Sequence, residues 1–193
     1  MLYRVLEVDD PALASDDSLV TAVELLHALD DPERDEFLRF VADHDDALLR
    51  TCSVGHLTGS ALVVEPVREL ILLLHHRKLQ KWLQPGGHAD GDGNLAAVAL
   101  REATEETGIE GLRLVAPAIH LDVHRVEPPT EAPHLHYDVR YLVLAPEDAK
   151  AVGNLESTAL RWVTLGELDT LSAEPGLRVL ARRGLDVARS LTA

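Results

Sequence analysis

The sequence predicts an α/β/α sandwich in which a mixed sheet lies between helices and a helical segment precedes the main domain. Three observations support this fold class. Apolar residues recur at helical spacing near the start of the chain, short apolar runs bounded by turn residues follow, and one long Ala- and Leu-rich helix interrupts these runs. We therefore expect residues 1–50 to form a helical extension and residues 51–193 to form the main domain.

The composition limits the classes of partner and compartment. The chain has 193 residues, of which 46% are hydrophobic, and this is enough for a substantial core. Its 33 acidic and 18 basic residues give a net charge of −15, which argues against a nucleic-acid polymer because phosphates require a basic surface. One cysteine, no signal peptide and no apolar run of about 18 residues predict a cytoplasmic protein without a membrane partner.

The leading segment predicts two helices. Ser15 or Asp16 is expected to cap a helix that runs to about Leu29, and Pro32 suits the first turn of a second helix. This segment has three alternative roles, which are packing on the main domain, contact in a homodimer, and a cover over the substrate. Packing on the main domain is the favoured alternative.

From His56 onwards the sequence pattern changes from helices to strands. In the run HLHYDVRYLVL, the polar residues share one face and the apolar residues share the other, as expected for a sheet edge that lines a cleft. A proline-rich loop over 127–133 cannot be a central strand. The predicted strands are LTGSALVVEP, ELILLLH, 112–126, 134–144 and 158–164, and two final helices begin near Gly166 and at Pro175.

A glycine-rich loop, residues 85–93, leads into a helix with the sequence NLAAVALREATEETGI, which Gly108 should close. Glu102, Glu105 and Glu106 share one face of this helix because their spacing is i, i+3, i+4. Like charges at this spacing destabilise a helix by roughly 0.2–0.5 kcal/mol per pair. A divalent cation bound between these carboxylates makes their clustering favourable, since clustered carboxylate oxygens are the ligands that Mg²⁺ takes.

The segment from Gly87 to Ile109 resembles the Nudix box of MutT-like hydrolases, G-x5-E-x7-R-E-U-x-E-E-x-G-U, in which U is aliphatic. One position departs, because the first Glu of the pattern falls on Gly93. The resemblance implies a Nudix-type α/β/α sandwich. It also implies hydrolysis of a phosphoanhydride bond in a nucleoside diphosphate linked to another moiety, with Mg²⁺ or Mn²⁺ as cofactor. The residues in register are Gly87, Arg101, Glu102, Ala103, Glu105, Glu106, Gly108 and Ile109.

The resemblance assigns roles by position. Glu102, Glu105 and Glu106, together with Gly87, resemble the metal site, and Glu105 or Glu106 is also a candidate to deprotonate the attacking water. Arg101 resembles the residue that orients these carboxylates.

Two further roles complete this assignment. Glu156, in the loop before the last predicted strand, resembles a general base or metal ligand of several Nudix relatives, and a turn-capping carboxylate is the alternative. Since the usual partner of Arg101 is missing at Gly93, we hypothesise that Asp92 or Asp90 replaces it.

Basic and imidazole side chains are the candidates for substrate contact. Arg77 and Lys78 lie in a local basic patch that could attract phosphates, with a solvated turn as the alternative. His88 follows the box glycines and is expected to contact the substrate. His134 and His136 belong to a dense histidine group with His120 and His124, which predicts either a zinc site or a polar cleft wall that contacts the substrate.

Two other functions are compatible with this fold. An enzyme similar to isopentenyl-diphosphate isomerase would use a diphosphate substrate without hydrolysis, but it requires a reactive cysteine in the cleft, and Cys52 is the single cysteine. A nucleotide-binding module without catalysis is the second alternative, because the first box Glu is missing. The three later glutamates favour catalysis.

Overall fold

The computed structural model describes residues 2–127, 132–171 and 174–192, and within these ranges the chain forms a mixed sheet with helices on both faces. Most of the expected proline-rich loop, residues 128–131, lies outside the described residues. The described strands are β1 Arg4–Leu6, β2 Gly55–Glu65, β3 Leu70–His76, β4 Lys81–Leu83, β5 Gly86–His88, β6 Arg113–Val126, β7 His134–Leu144 and β8 Ser157–Val163. The described α-helices are α1 Leu19–His27, α2 Arg34–Asp43, α3 Leu95–Thr107, α4 Leu165–Leu171 and α5 Pro175–Thr192.

The sheet has the strand order β1-β6-β7-β2-β3-β4, with β5 paired to β2 and β8 paired to β3. The β2–β7 ladder is parallel and the other described ladders are antiparallel, which confirms the predicted mixed sheet. Strand β7 lies between β6 and β2. The expectation that β7 forms a sheet edge is therefore wrong, because both of its backbone edges are occupied by neighbouring strands.

Two apolar clusters cover the two faces of the sheet and give the sandwich its layers. One cluster joins α1, α2 and α3 to the sheet and includes Leu26, Phe37 and Val98. The other joins α4 and α5 to the opposite face and includes Leu168 and Leu180. This arrangement confirms the predicted α/β/α class. Among the described residues, no helix is both long enough and apolar enough to cross a bilayer.

The leading segment packs on the main domain, as the favoured alternative predicted. The cap of helix α1 is Ser18, two or three residues after the expected Asp16 or Ser15, because the Ser18 hydroxyl accepts the Val20 N–H. The ring of Phe37 meets Tyr137 edge-on at 5.3 Å, and the ring of Phe40 stacks on Tyr137 at 3.8 Å. These rings join the segment to the centre of the sheet, and they belong to one continuous core.

Helix α3 begins and ends where the sequence predicted. The Asn94 side chain accepts the Ala97 N–H at 3.3 Å and caps the N-terminus. Gly108 has φ 63°, a left-handed conformation that favours glycine, and its N–H donates to the Thr104 carbonyl at 2.9 Å. The residue Gly59 lets the helix approach β2 closely, since an added Cβ there would lie 3.1 Å from the Ala99 nitrogen.

Candidate active site

The glycine pair of strand β5 meets the acidic face of α3. The Glu106 carboxylate is buried and accepts the Gly86 N–H at 2.9 Å. Gly87 lies against Glu102, because an added Cβ on Gly87 would overlap the Glu102 carboxylate. Glu105 is exposed on the same helix. The fold therefore places Glu102 and Glu106 against one short strand that contains Gly87, with Glu105 on the same helix.

The electrostatics of this acidic group are unfavourable without a cation. Burial raises the pKa of Glu106 to about 7, the Gly86 N–H opposes that shift, and the nearby charges of Glu102, Glu156 and Glu105 add to it. Burial also raises the pKa of Glu102, and this is opposed by Arg101. In the described part of the chain, Glu106 makes no ion pair. Clustered carboxylate oxygens fit a hard divalent cation, and Gly87 has no side chain that would block access to them.

Arg101 contacts both the acidic face of α3 and strand β5. Its Nη2 donates to Glu102 Oε1 at 2.9 Å and to the His88 carbonyl at 3.3 Å. The guanidinium therefore ties one carboxylate of the helix to the backbone of β5. This contact holds the two halves of the site together without the first box Glu.

The missing box Glu has a structural explanation at Gly93. The Gly93 N–H donates to the Asp16 carbonyl at 2.6 Å, and an added Cβ would overlap the Ser18 carbonyl oxygen. The two hypothesised replacements have other partners. Asp92 accepts the backbone N–H groups of Asp16 and Asn94 at 3.1 and 2.9 Å. Asp90 accepts both Nε and Nη2 of Arg50, at 2.6 and 2.7 Å.

Glu156 lies in the exposed loop before β8, and its charge raises the pKa of both Glu102 and Glu106. Glu156 therefore lies close enough to interact electrostatically with the acidic group. Arg77 supports this loop, because its guanidinium donates to the Leu155 carbonyl at 2.8 Å and the Ser157 carbonyl at 3.1 Å. These contacts favour a positioning role for Arg77 over the predicted phosphate contact.

Two further side chains lie in the turn after β3 and in β4. Lys78 occupies an exposed turn between β3 and β4. Trp82 packs partly buried against the core that faces α5, and its ring lies 5.2 Å from the ring of His75.

The structure brings His134 and His136 of the predicted histidine group together. It adds His56, which the sequence analysis did not include. His56 lies opposite His136 in the parallel ladder of β2 and β7, and its ring lies 4.8 Å from the ring of His134. The ring of His88 lies 4.8 Å from His56 and 5.0 Å from His136. His120 is the Cα partner of Arg140, further along β6. Sequence reasoning missed His56 because the ladder register, rather than its spacing, brings it to His136.

The polar side chains in the middle of β7 form hydrogen bonds with side chains of the neighbouring strands. Asp138 accepts hydrogen bonds from the hydroxyls of Thr58 and Ser60 at 2.8 and 2.9 Å, and from Arg140 Nε at 2.6 Å. Arg140 Nη2 also donates to Asp122 at 2.8 Å. The face is therefore an interior network over much of its length, and not the open cleft wall that we expected.

Burial keeps the imidazoles of His136 and of the neighbouring His88 neutral. It lowers the pKa of His136 to about 2 and that of His88 to about 4, with smaller contributions from neighbouring positive or imidazole groups. His134 is 8% exposed. A ring buried to that extent offers little surface to a substrate, which weakens the prediction that His134 contacts one.

Comparison with known proteins identifies a family. The model described as NUDIX domain matches residues 56–183, which is more than half of the chain. Many solved structures share the fold. The Ap4A hydrolase binary complex from C. elegans has 18% identity and a TM-score of 0.55, and the alignment covers 69% of this chain and 98% of that one.

Two other structures are equally distant in sequence. The MutT protein from Methanosarcina mazei Go1 has 21% identity and a TM-score of 0.54, with 72% and 97% of the two chains covered. The NUDIX domain of Shewanella oneidensis NrtR, complexed with ADP ribose, has 18% identity and a TM-score of 0.53, with 80% and 97% covered. No curated protein matches the sequence at a significant level.

Proposed function

The chain belongs to the Nudix family and is a Nudix-type hydrolase of acid anhydrides, and on that premise we propose its cofactor and substrate class. The proposed cofactor is Mg²⁺ or Mn²⁺. The proposed substrate is a nucleoside diphosphate linked to another moiety, which is cleaved at a phosphoanhydride bond.

The convergence of the α3 carboxylates on β5 is the observation that carries this proposal. Glu106 is buried against the Gly86 N–H, and Glu102 fills the space beside Gly87. A buried carboxylate among like charges is costly unless a cation compensates it. We assign the cation to Glu102, Glu105 and Glu106, with the backbone of Gly87.

The residues of the chain then have separate tasks. A bound divalent cation supplies positive charge against the diphosphate and makes water more acidic. Glu105, Glu106 and Glu156 are the candidates to accept the proton of the attacking water. Arg101 positions Glu102 through the 2.9 Å bond described above, and Arg77 positions the loop of Glu156.

Charge on the transferred phosphoryl group also needs stabilisation. Lys78 and His88 are the proposed substrate contacts, since Lys78 is exposed in the turn before β4 and His88 directly follows the glycine pair. We expect the loop over 145–157 to determine which leaving group is accepted, because it carries Glu156 to the acidic group.

A panel of nucleotides tests the reaction. We expect release of phosphate-containing products from at least one of ADP-ribose, Ap4A and other dinucleoside polyphosphates, nucleotide sugars or NTPs, and loss of that activity in EDTA. Ap4A and ADP-ribose are included because one of the similar structures is an Ap4A hydrolase and another is a domain complexed with ADP ribose. Activity that is unaffected by EDTA would contradict the proposed cofactor.

Two variants test the residues. E106Q and E105Q should lower kcat by at least about 100-fold, since general-base or cation-holding groups contribute on the order of 10²–10⁴ to rate. E110Q is the matched control, because Glu110 is exposed beyond the helix end. Full activity in both site variants would refute the assignment, and inactivity of the native chain across the whole panel would favour the binding-module alternative.

The isomerase alternative loses support in the structure. The Cys52 side chain is buried, and burial raises the pKa of its thiol. A thiol with a raised pKa is a poor nucleophile or acid–base group at neutral pH. No described contact joins Cys52 to the acidic face of α3.

A further inference from the structure

Three imidazoles meet at the N-terminal ends of β2 and β7, on the face of the sheet that carries the Asp138 network. They are His56, His134 and His136, and one potential ligand atom from each lies within 4.8 Å of the others. Ring centroids are 4.8 Å apart for His56 and His134, 4.9 Å for His56 and His136, and 5.2 Å for His134 and His136. The carboxylates of α3 do not belong to this group.

The hydrogen bonding of His134 leaves one nitrogen available for a ligand. Its Nδ1 lies 2.8 Å from the Ala132 carbonyl oxygen, which can only accept, so Nδ1 carries the hydrogen and Nε2 carries the lone pair. A ring held in one tautomer by a backbone carbonyl is the usual arrangement of a metal-ligating histidine. His134 therefore keeps one acceptor nitrogen, Nε2, that no hydrogen bond among the described residues occupies.

Two nitrogens in this group are buried without a hydrogen bond. His134 Nε2 and His136 Nε2 have no hydrogen-bond partner among the described residues. An unsatisfied buried polar atom costs about 1–3 kcal/mol, and native structures contain few of them. Two such atoms on neighbouring rings of one histidine cluster indicate that a bound species completes their coordination.

We propose that His56, His134 and His136 form a second metal site, which takes a borderline divalent cation of the Zn²⁺ class. Imidazole nitrogen selects Zn²⁺ and similar metals, whereas the oxygen ligands of α3 select Mg²⁺ or Mn²⁺. Zn–N bonds of about 2.0–2.1 Å place nitrogens about 3.3 Å apart in a tetrahedral site, so small side-chain rotations close the group. The metal would tie the start of β2 to the start of β7.

A second triad supplies the matched control for this proposal. His44, Asp46 and Cys52 also place ligand atoms within 4.8 Å of one another. Its thiolate would give a near-ultraviolet charge-transfer band with Co²⁺, which an all-imidazole site cannot give. The two candidate sites are therefore distinguishable both by substitution and by spectrum.

The experiment uses the full chain, stripped of metal and held in excess Mg²⁺ to occupy the carboxylates. Zn²⁺ binding is measured by calorimetry, and Co²⁺ binding by absorption spectroscopy. We expect one tight Zn²⁺ per chain in the native protein and in His44→Gln. We expect affinity to fall by at least about 100-fold in His134→Gln and in His136→Gln, beyond the 10–100-fold effect of outer-shell changes.

The outcomes distinguish metal binding at the three histidines from metal binding at His44, Asp46 and Cys52. Loss of binding in His44→Gln, with retention in His134→Gln and His136→Gln, overturns the proposal, as does absence of tight Zn²⁺ binding to the native chain. If neither histidine variant folds by circular dichroism, the native Co²⁺ complex decides, because a thiolate band would place the metal at Cys52. None of these readouts depends on hydrolytic activity, so failure of the proposed reaction leaves this test intact.

Discussion

Gly87 leaves the space that the Glu102 carboxylate occupies, and this gives a single-atom test of the active site. An added Cβ in Gly87→Ala would overlap that carboxylate and displace it. We expect hydrolysis to fall by at least about 10-fold and the Mg²⁺ concentration for half activity to rise, because a displaced ligand weakens cation binding.

The control for this change is Gly166→Ala, since an added Cβ there meets no atom within 4 Å. It should leave the Mg²⁺ dependence unchanged. Steady-state rates across a Mg²⁺ titration measure both variants. Equal Mg²⁺ dependence of Gly87→Ala and the native chain would show that the Glu102 carboxylate does not hold the cation.

For single residues, the sequence showed that the first Glu of the Nudix box is replaced by Gly93, but it could not show the structural reason. The reason is the Ser18 carbonyl, which lies where a side chain of Gly93 would begin. That contact joins residues far apart in the chain, and neither residue type signals it. The three glutamates of α3 were predictable, because helical spacing alone places them on one face.

Strand β6 carries the buried imidazole of His120, and its protonation should make the free energy of unfolding depend on pH. Burial is the main cause that lowers the pKa of His120 to about 4; Arg140 of β7 and Arg183 of α5 contribute to this shift, and Asp31 and Asp122 oppose it. The unfolded chain therefore binds a proton near pH 6.5 that the folded chain binds only near pH 4. Stability is fully present above pH 6.5 and decreases as the pH falls through this window.

The variant His120→Gln should lack this part of the acid sensitivity. Between pH 6.5 and 4, the free energy of unfolding of the native chain should fall by about 2–3 kcal/mol more than that of the variant, since one pH unit is worth about 1.4 kcal/mol. Urea unfolding at several pH values measures the difference. His27→Gln, at an exposed position of α1, should follow the native curve. Parallel curves for His120→Gln and the native chain would contradict the pKa assigned to His120.

At the scale of elements, periodicity predicted the longer strands and the helices, but it predicted neither the short strands β4 and β5 nor which strands are neighbours. Strand β7 was predicted over the same residues that the structure gives it, 134–144. Its place beside β2 was not predictable, because alternation reports which residues share a face and contains no information about the partner strand. The polar face of β7 consequently resembled a cleft wall in the sequence and is an internal network in the structure.

For the whole molecule, the leading segment should be thermodynamically inseparable from the Nudix domain. Phe37 is fully buried and packs edge-on against Tyr137. Phe37→Ala should lower the free energy of unfolding by about 3–5 kcal/mol, the usual cost of removing a buried aromatic ring. Because the segment shares one core with α3, we expect a single cooperative transition in urea.

Val20→Ala is the control within the same segment, because Val20 is 62% exposed. Its unfolding midpoint should stay close to that of the native chain. Two resolved transitions in the native protein, or an unchanged midpoint in Phe37→Ala, would show that residues 1–50 fold independently of the domain.

The parallel ladder of β2 and β7 also sets the order of events when the chain folds. Gly55 pairs with Leu135, eighty residues later, and every other pair in this ladder has the same separation. Closing so long a loop is slow, because its entropy must be lost before any contact compensates for it. During synthesis on the ribosome, the acidic helix and the first hairpin are complete long before β7 emerges. The proposed metal site of His56, His134 and His136 consequently cannot form until the two strands have paired.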